Sequence, residues 1–211
     1  MMLGQALLCC LIGYLLGNIS PAYLLVKRKG YDVREEGSGN AGASNALIIA
    51  GKAAFFITAF VDILKAFVAC RLCRALFPGL SVSEQLGGVA CILGHMFPLS
   101  LGLRGGKGLA CMGGVILSWN WIAFLILLAT ALAIAFVTNY LCFVAPSISV
   151  IFPVSFLIKS GFVLGTLILL IPVLPIMMKH MQNFRNIREG TEVKMSYLWD
   201  KDSELKRTGR V

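Results

Sequence analysis

Residues 109–138 read LACMGGVILSWNWIAFLILLATALAIAFVT, thirty positions without a charge. About twenty apolar residues make one helical crossing of a bilayer, so thirty are too many for one and few for two. The flanking sequence decides between them. Residues 3–26 form a first apolar run, with Lys27, Arg28, Lys29 and Arg34 following it; 46–76 form a second; 86–103 form a third that ends at Arg104. Beyond the thirty lie 141–158 and 161–178, separated by Lys159, and from Lys179 onward the chain is hydrophilic. Loops rich in Lys and Arg stay on the cytoplasmic side of a membrane. Counting 109–138 as two crossings puts residues 27–34, 104–107 and 179–211 on that side, and they hold fourteen of the nineteen basic residues. Counting it as one would export a tail carrying eight of them. The expectation is an all-α polytopic membrane protein with about seven transmembrane helices. One of these, at 109–118, is short or half-embedded, and Trp119 and Trp121 lie at the outer interface. The N-terminus is then outside and the C-terminus cytoplasmic. The chain, 1–211, reads as a single integral membrane domain, in which 179–211 is a cytoplasmic tail ending in a polar basic segment.

Composition agrees. The chain has 211 residues, 58% hydrophobic and 14% charged. Soluble domains carry about a quarter charged residues, and disordered chains are poor in apolar ones, so both classes are excluded. A net charge of +9 suits the positive-inside bias and anionic lipid headgroups, with no call for nucleic acid. The seven cysteines lie in apolar runs, and Cys70-x-x-Cys73 has no second pair and no nearby His. They read as small apolar side chains, with no metal site among them. No basic residue precedes the first apolar run, so that run is not a cleavable signal peptide. Nor does an internal or inverted repeat suggest a transporter. Asp62 and Lys65 stand three apart on one helical face and read as an ion pair turned toward the bundle.

Three polar clusters interrupt this sequence. The first is Gly37-Ser38-Gly39-Asn40-Ala41-Gly42-Ala43-Ser44-Asn45. Its glycines permit close backbone approach, successive N–H groups form an anion nest, and the helix that follows points its positive end at it. Ser38, Asn40 and Asn45 add directed side-chain donors. The second cluster is Gly94-His95-Met96-Phe97-Pro98 with Arg104-Gly105-Gly106-Lys107-Gly108. The glycines and the Lys107 ammonium at a helix start make a phosphate cradle. It is no Walker A loop, since no Ser or Thr follows the lysine, which argues against an NTPase. His95 reads as a packing residue at a helix end. The third cluster places His180 and Asn183 on one helical face at the interface, followed by Arg185, Arg188 and Gly190-Thr191-Glu192. No His-x4-Asp, Gly-x-Ser-x-Gly elbow or metal-ligand set accompanies them. An acyl transfer here needs an activated donor. Another reading open at this level is a non-enzymatic membrane protein that binds or passes small phosphorylated anions.

Taken together, in this order and spacing, the three clusters resemble the motifs of the bacterial membrane acyl-phosphate:glycerol-3-phosphate acyltransferases, the PlsY family. The resemblance covers essentially the whole chain. It implies that acyl phosphate and glycerol 3-phosphate give lysophosphatidic acid and phosphate, without a cofactor or metal, at the cytoplasmic face of the cell membrane. It implies that Ser38, His180 and Asn183 are catalytic. Gly37, Gly39, Asn40, Gly42, Ser44, Asn45, Gly105, Gly106, Lys107 and Gly108 would bind substrate and phosphate, and Glu192 would support the structure. Two positions depart from the pattern. Ile48 and Asn186 stand where the family usually carries basic residues, which leaves open a paralogue acylating another phosphorylated acceptor. Lys52, one helical turn beyond position 48, is expected to lean back and supply part of the missing charge.

Overall fold

A computed structural model describes residues 2–198 and 200–208. All regular elements among them are helical: α1 (Met2–Gly17), α2 (Pro21–Lys27), α3 (Ala43–Ala50), α4 (Lys52–Leu76), α5 (Ser83–Met96), α6 (Leu109–Trp119), α7 (Trp121–Thr138), α8 (Val144–Ser160), α9 (Val163–Leu170), α10 (Val173–Arg188) and α11 (Lys201–Thr208). Five stretches are long and apolar enough to cross a membrane: Met2–Lys27, Lys52–Leu76, Trp121–Thr138, Leu141–Ser160 and Val163–Arg188. The protein is a polytopic membrane protein. The uncharged thirty do split in two. Asn120 leaves the helical conformation and its side chain accepts the N–H of Ala123 at 2.8 Å, capping α7. That leaves α6 with 11 residues, about 16 Å at 1.5 Å per residue and roughly half a bilayer core.

Other boundaries shift. The run expected at 46–76 is broken at Gly51, whose φ of +88° no helix tolerates, so α3 and α4 are separate. The run at 86–103 ends as helix at Met96, ahead of Pro98, and continues as a single 3-10 turn at Leu99–Leu101. The last helix does not stop near 178: α10 runs on to Arg188 and carries the third cluster with it.

Small residues bring the backbones together at the centre. In α1, a Cβ on Gly13 would overlap the carbonyl of Gly87, and one on Gly17 the carbonyl of Cys91; Gly94 of α5 lies as closely against Tyr14. Gly87 and Gly88 face the thiols of Cys73 and Cys70 on α4, and Gly114 of α6 faces the backbone of Ile63. This is how membrane helices associate where lipid gives no hydrophobic drive between them. All seven cysteines are free, and six are buried, as the packing reading expects. Asp62 and Lys65 are paired at 2.7 Å, and the Lys65 ammonium also reaches the carbonyls of Gly17 (3.1 Å) and Ile19 (2.6 Å), tying α4 to the end of α1.

At one end of the bundle, Glu84 of α5 meets Arg74 of α4 and Ser118 of α6, while Lys159 of α8 lies over the Trp119 ring at 5.6 Å. The three polar clusters gather at the other end.

Candidate active site

The first cluster is a loop held from within. Asp32 accepts the backbone N–H of Arg34 at 2.9 Å and grips its guanidinium at 2.6 Å. That guanidinium holds the Asp32 carboxyl down at about 2, below the usual carboxylate range. Arg34 also donates to the carbonyl of Leu101 (3.1 Å), and Arg104 donates to the carbonyl of Arg34 (2.9 Å), so two arginines lace this loop to the next. Gly37 and Gly39 both take positive φ, +61° and +67°. Asn45 is fully buried and engaged at both ends: its amide donates to the carbonyls of Val33 (2.8 Å) and Glu36 (3.0 Å), and its Oδ1 accepts the N–H of Ser38 (2.8 Å). It therefore staples the loop, where the sequence suggested a donor facing ligand. The expected nest is also partly closed, because the N–H of Gly39 goes to Glu36 at 3.0 Å. The open groups are the side chains of Ser38 and Ser44, both exposed and without a hydroxyl partner among the described residues, and the start of α3, whose cap residue Gly42 offers no side chain.

The second cluster needs a larger correction. The N–H of Gly105 donates to the carbonyl of Met96 (3.2 Å) and that of Gly106 to the carbonyl of His95 (3.0 Å), folding the loop back onto the end of α5. These two glycines are required for close approach and are not the free donors that a phosphate cradle suggests. A Cβ on Gly105 would overlap the His95 carbonyl, and one on Gly106 the His95 ring. What the loop still presents is the Lys107 side chain and the start of α6, capped by Gly108 with no side-chain acceptor. Gly42 of the first loop lies against the side chain of Asn40 and against the Cα of Gly106.

The third cluster meets the second directly. Lys107 donates to Asn183 Oδ1 at 2.5 Å, and Asn183 Nδ2 donates to Glu192 at 2.6 Å. The other oxygen of Glu192 takes the amide of Asn186 at 3.2 Å. Glu192 thus sets the direction of the Asn183 amide, and the uncharged amide of Asn186 holds its other oxygen. Lys179 reaches the carbonyl of Gly105 at 3.3 Å and lies 4.9 Å over the Phe97 ring. His180 is buried and its Nδ1 lies 2.8 Å from the carbonyl of Ile176. A carbonyl only accepts, so Nδ1 carries the proton and Nε2 keeps a lone pair. Burial pushes the Lys107 ammonium below the usual lysine range, with Glu192 pulling the other way.

Lys52 does not join this group as expected. Gly51 breaks the helix between positions 48 and 52, so the two do not share a face; Lys52 stands exposed at the first position of α4. Ile48 itself lies against Gly37. Asp62, His95 and Cys111 place oxygen, nitrogen and sulfur within 4.8 Å of one another. They do not fit a metal, because the Lys65 ammonium already lies 2.7 Å from the carboxylate and 3.1 Å from the imidazole. The roles of Arg34 and Arg104 escaped the sequence reading, although Asp32 two residues before Arg34 is a local turn signal.

The chain is similar to known proteins over nearly its whole length. The family model described as glycerol-3-phosphate acyltransferase matches residues 7–190. A glycerol-3-phosphate acyltransferase of Mesorhizobium japonicum is 35% identical over 90% of this chain and 95% of its own length. Glycerol-3-phosphate acyltransferase 2 of Thermotoga maritima is 36% identical over 88% and 94%. Crystal structures of PlsY, an integral membrane glycerol 3-phosphate acyltransferase, superpose with TM-scores of 0.84 for its glycerol 3-phosphate form and 0.80 for its lysophosphatidic acid form, each at 28% identity. They cover 92% and 90% of this chain and 96% and 94% of theirs. With its three polar clusters gathered at one end of an apolar helix bundle, the chain belongs to the glycerol-3-phosphate acyltransferase family.

Proposed function

We propose that the protein transfers an acyl group from acyl phosphate to glycerol 3-phosphate, giving lysophosphatidic acid and phosphate at the cytoplasmic face of the cell membrane. The observation that carries the reading is the Lys107–Asn183 contact, which joins the second and third clusters beside the first on a chain of this family. The face follows from the basic residues: the segments around the site hold most of them. With that face inside, the crossings number seven when α5 and the short α6 are counted, and the N-terminus lies outside. The chain then forms one membrane domain, with residues beyond α10 in the cytoplasm.

In this reading the Lys107 ammonium and the open start of α6 receive the acceptor's phosphate. Asn183, its direction set by Glu192, and His180, with an Nε2 lone pair, hydrogen-bond the attacking hydroxyl and orient it. Ser38, Ser44, Asn40 and the start of α3 face the donor. The hydroxyl oxygen bonds to the acyl carbon, the bond from that carbon to the bridging phosphate oxygen breaks, and phosphate departs with the proton. A mixed anhydride has a good leaving group, so positioning and charge suffice where no strong base is present.

The test is purified protein with acyl phosphate and radiolabelled glycerol 3-phosphate. Lysophosphatidate is the expected product. Product formed only from acyl-CoA or acyl carrier protein overturns the donor assignment. Ile48, an apolar side chain against Gly37, makes a parallel assay with other phosphorylated alcohols worthwhile, and glycerol 3-phosphate should give the highest kcat/KM.

A further inference from the structure

Asn183 takes its direction from Glu192, and Glu192 sits in a loop just past the end of α10. The N–H groups of that loop return to the helix it leaves. Gly190 donates to the carbonyl of Ile187 (3.1 Å), and Thr191 and Glu192 both donate to the carbonyl of Asn186 (2.8 and 3.1 Å). The carbonyls of Gly190 and Glu192 go elsewhere: Nη1 and Nη2 of Arg207 donate to them, each at 2.5 Å. A glutamate side chain is long and rotatable, so its carboxylate is aimed only as well as its backbone is held.

Arg207 is itself held. Glu204, 7% exposed, accepts from its Nε at 3.1 Å and its Nη2 at 2.7 Å. Nε, Nη1 and Nη2 are thus all engaged, in a planar fork that a lysine ammonium does not reproduce. Glu204 also accepts the N–H of Lys194 and the hydroxyl of Ser196, both at 3.2 Å. That stretch is moored to the bundle. Asn139, which ends α7, receives the N–H of Met195 on its carbonyl (2.8 Å) and that of Ser196 on its Oδ1 (3.1 Å). Met195 is buried in the main apolar core. A line of contacts therefore runs from the end of α7 through the tail to Glu192, Asn183 and Lys107. The family match stops at residue 190, and Arg207 lies beyond it.

We infer that Arg207 is a positioning residue of the active site, whose guanidinium clamps the 190–192 backbone and so aims the Glu192 carboxylate at Asn183. Glu204 holds the clamp in place. The tail after α10 is then part of the catalytic apparatus. The inference rests on the reaction proposed above, in which Asn183 orients the attacking hydroxyl.

Arg207→Leu should lower kcat about tenfold, because a misdirected Asn183 misplaces the hydroxyl, with the KM for glycerol 3-phosphate within about threefold of wild type. Arg207→Lys, a single point charge, should fall between the two. A double-mutant cycle separates aiming from general support of the fold. In a Glu192→Ala background the carboxylate to be aimed is gone, so adding Arg207→Leu should cost less than about twofold. The same fold-loss in both backgrounds overturns the inference, as does an unchanged kcat in Arg207→Leu. A second readout needs no turnover. The side-chain 15N amide signal of Asn183, identified by its loss in Asn183→Ala, should shift in Arg207→Leu toward its position in Glu192→Ala; an unmoved signal overturns the clamp. If the Leu variant fails to accumulate, the same signal in Arg207→Lys decides. Wild-type protein without turnover would sink the proposed activity, while the Asn183 signal would still test whether Arg207 sets the direction of Glu192.

Discussion

Lys107 is where charge, burial and contact meet most tightly. Its ammonium is half-buried, bonded to Asn183 and close enough to Glu192 to feel its charge. Lys107→Met keeps the length and removes the charge. It should raise the KM for glycerol 3-phosphate about ten- to a hundredfold, matching the ~1.5–3 kcal/mol of a charged hydrogen bond, with kcat less affected. The sign of the pH dependence follows from burial, which lowers the lysine's hold on its proton. The charged form is the binding form, so acceptor KM should climb on the alkaline side before an ordinary lysine titrates. Lys107→Arg, charged throughout, should flatten that climb. Steady-state kinetics across the neutral-to-alkaline range check both, and an unaltered KM in Lys107→Met would place the acceptor's phosphate elsewhere. Asn183→Ala and His180→Ala should lower kcat instead, since both sit where the hydroxyl is oriented.

Among the elements, the α1–α5 crossing is the most sensitive. Gly13 and Gly17 stand one turn apart on α1 and meet carbonyls of α5, leaving no room for a side chain. Gly17→Val forces the helices apart, an overpacking cost of about 1–3 kcal/mol. It also disturbs the Gly17 carbonyl that Lys65 grips at 3.1 Å. Its thermal midpoint in detergent should fall by several degrees, whereas Gly4→Val, with nothing within 4 Å of the added carbon, should behave as wild type. Equal midpoints would mean that this crossing contributes little to the bundle.

For the whole molecule, the charge distribution makes a prediction about sidedness. Six of the seven native cysteines are buried, so introduced ones can be labelled selectively. Gly79→Cys and Lys159→Cys, both at exposed positions, should react with an impermeant maleimide added to intact cells. Ser38→Cys should react only after the membrane is opened. Labelling of Ser38→Cys from outside would reverse the proposed face and with it the supply of both substrates from the cytoplasm.

The sequence by itself determined the class of architecture, because the length of an apolar run and the side on which Lys and Arg fall are local quantities that survive without knowing any contact. It also picked out the Asp62–Lys65 pair, since a spacing of three places two charges on one helical face, and the three motif clusters, through residue types and order. Only the tertiary structure decided which donors are free. Gly105 and Gly106 look like cradle donors until α5 is seen to present its carbonyls to them, and Asn45 looks like a ligand contact until Val33, Glu36 and Ser38 are seen around it. The break at Gly51 was equally hidden, because a glycine in an apolar run can sit in a helix or end one, and the packing around it chooses. His95 gained its neighbour in the same way: helix α5 stops one residue later, the chain folds back, and Gly106, eleven residues further on, lands against its ring.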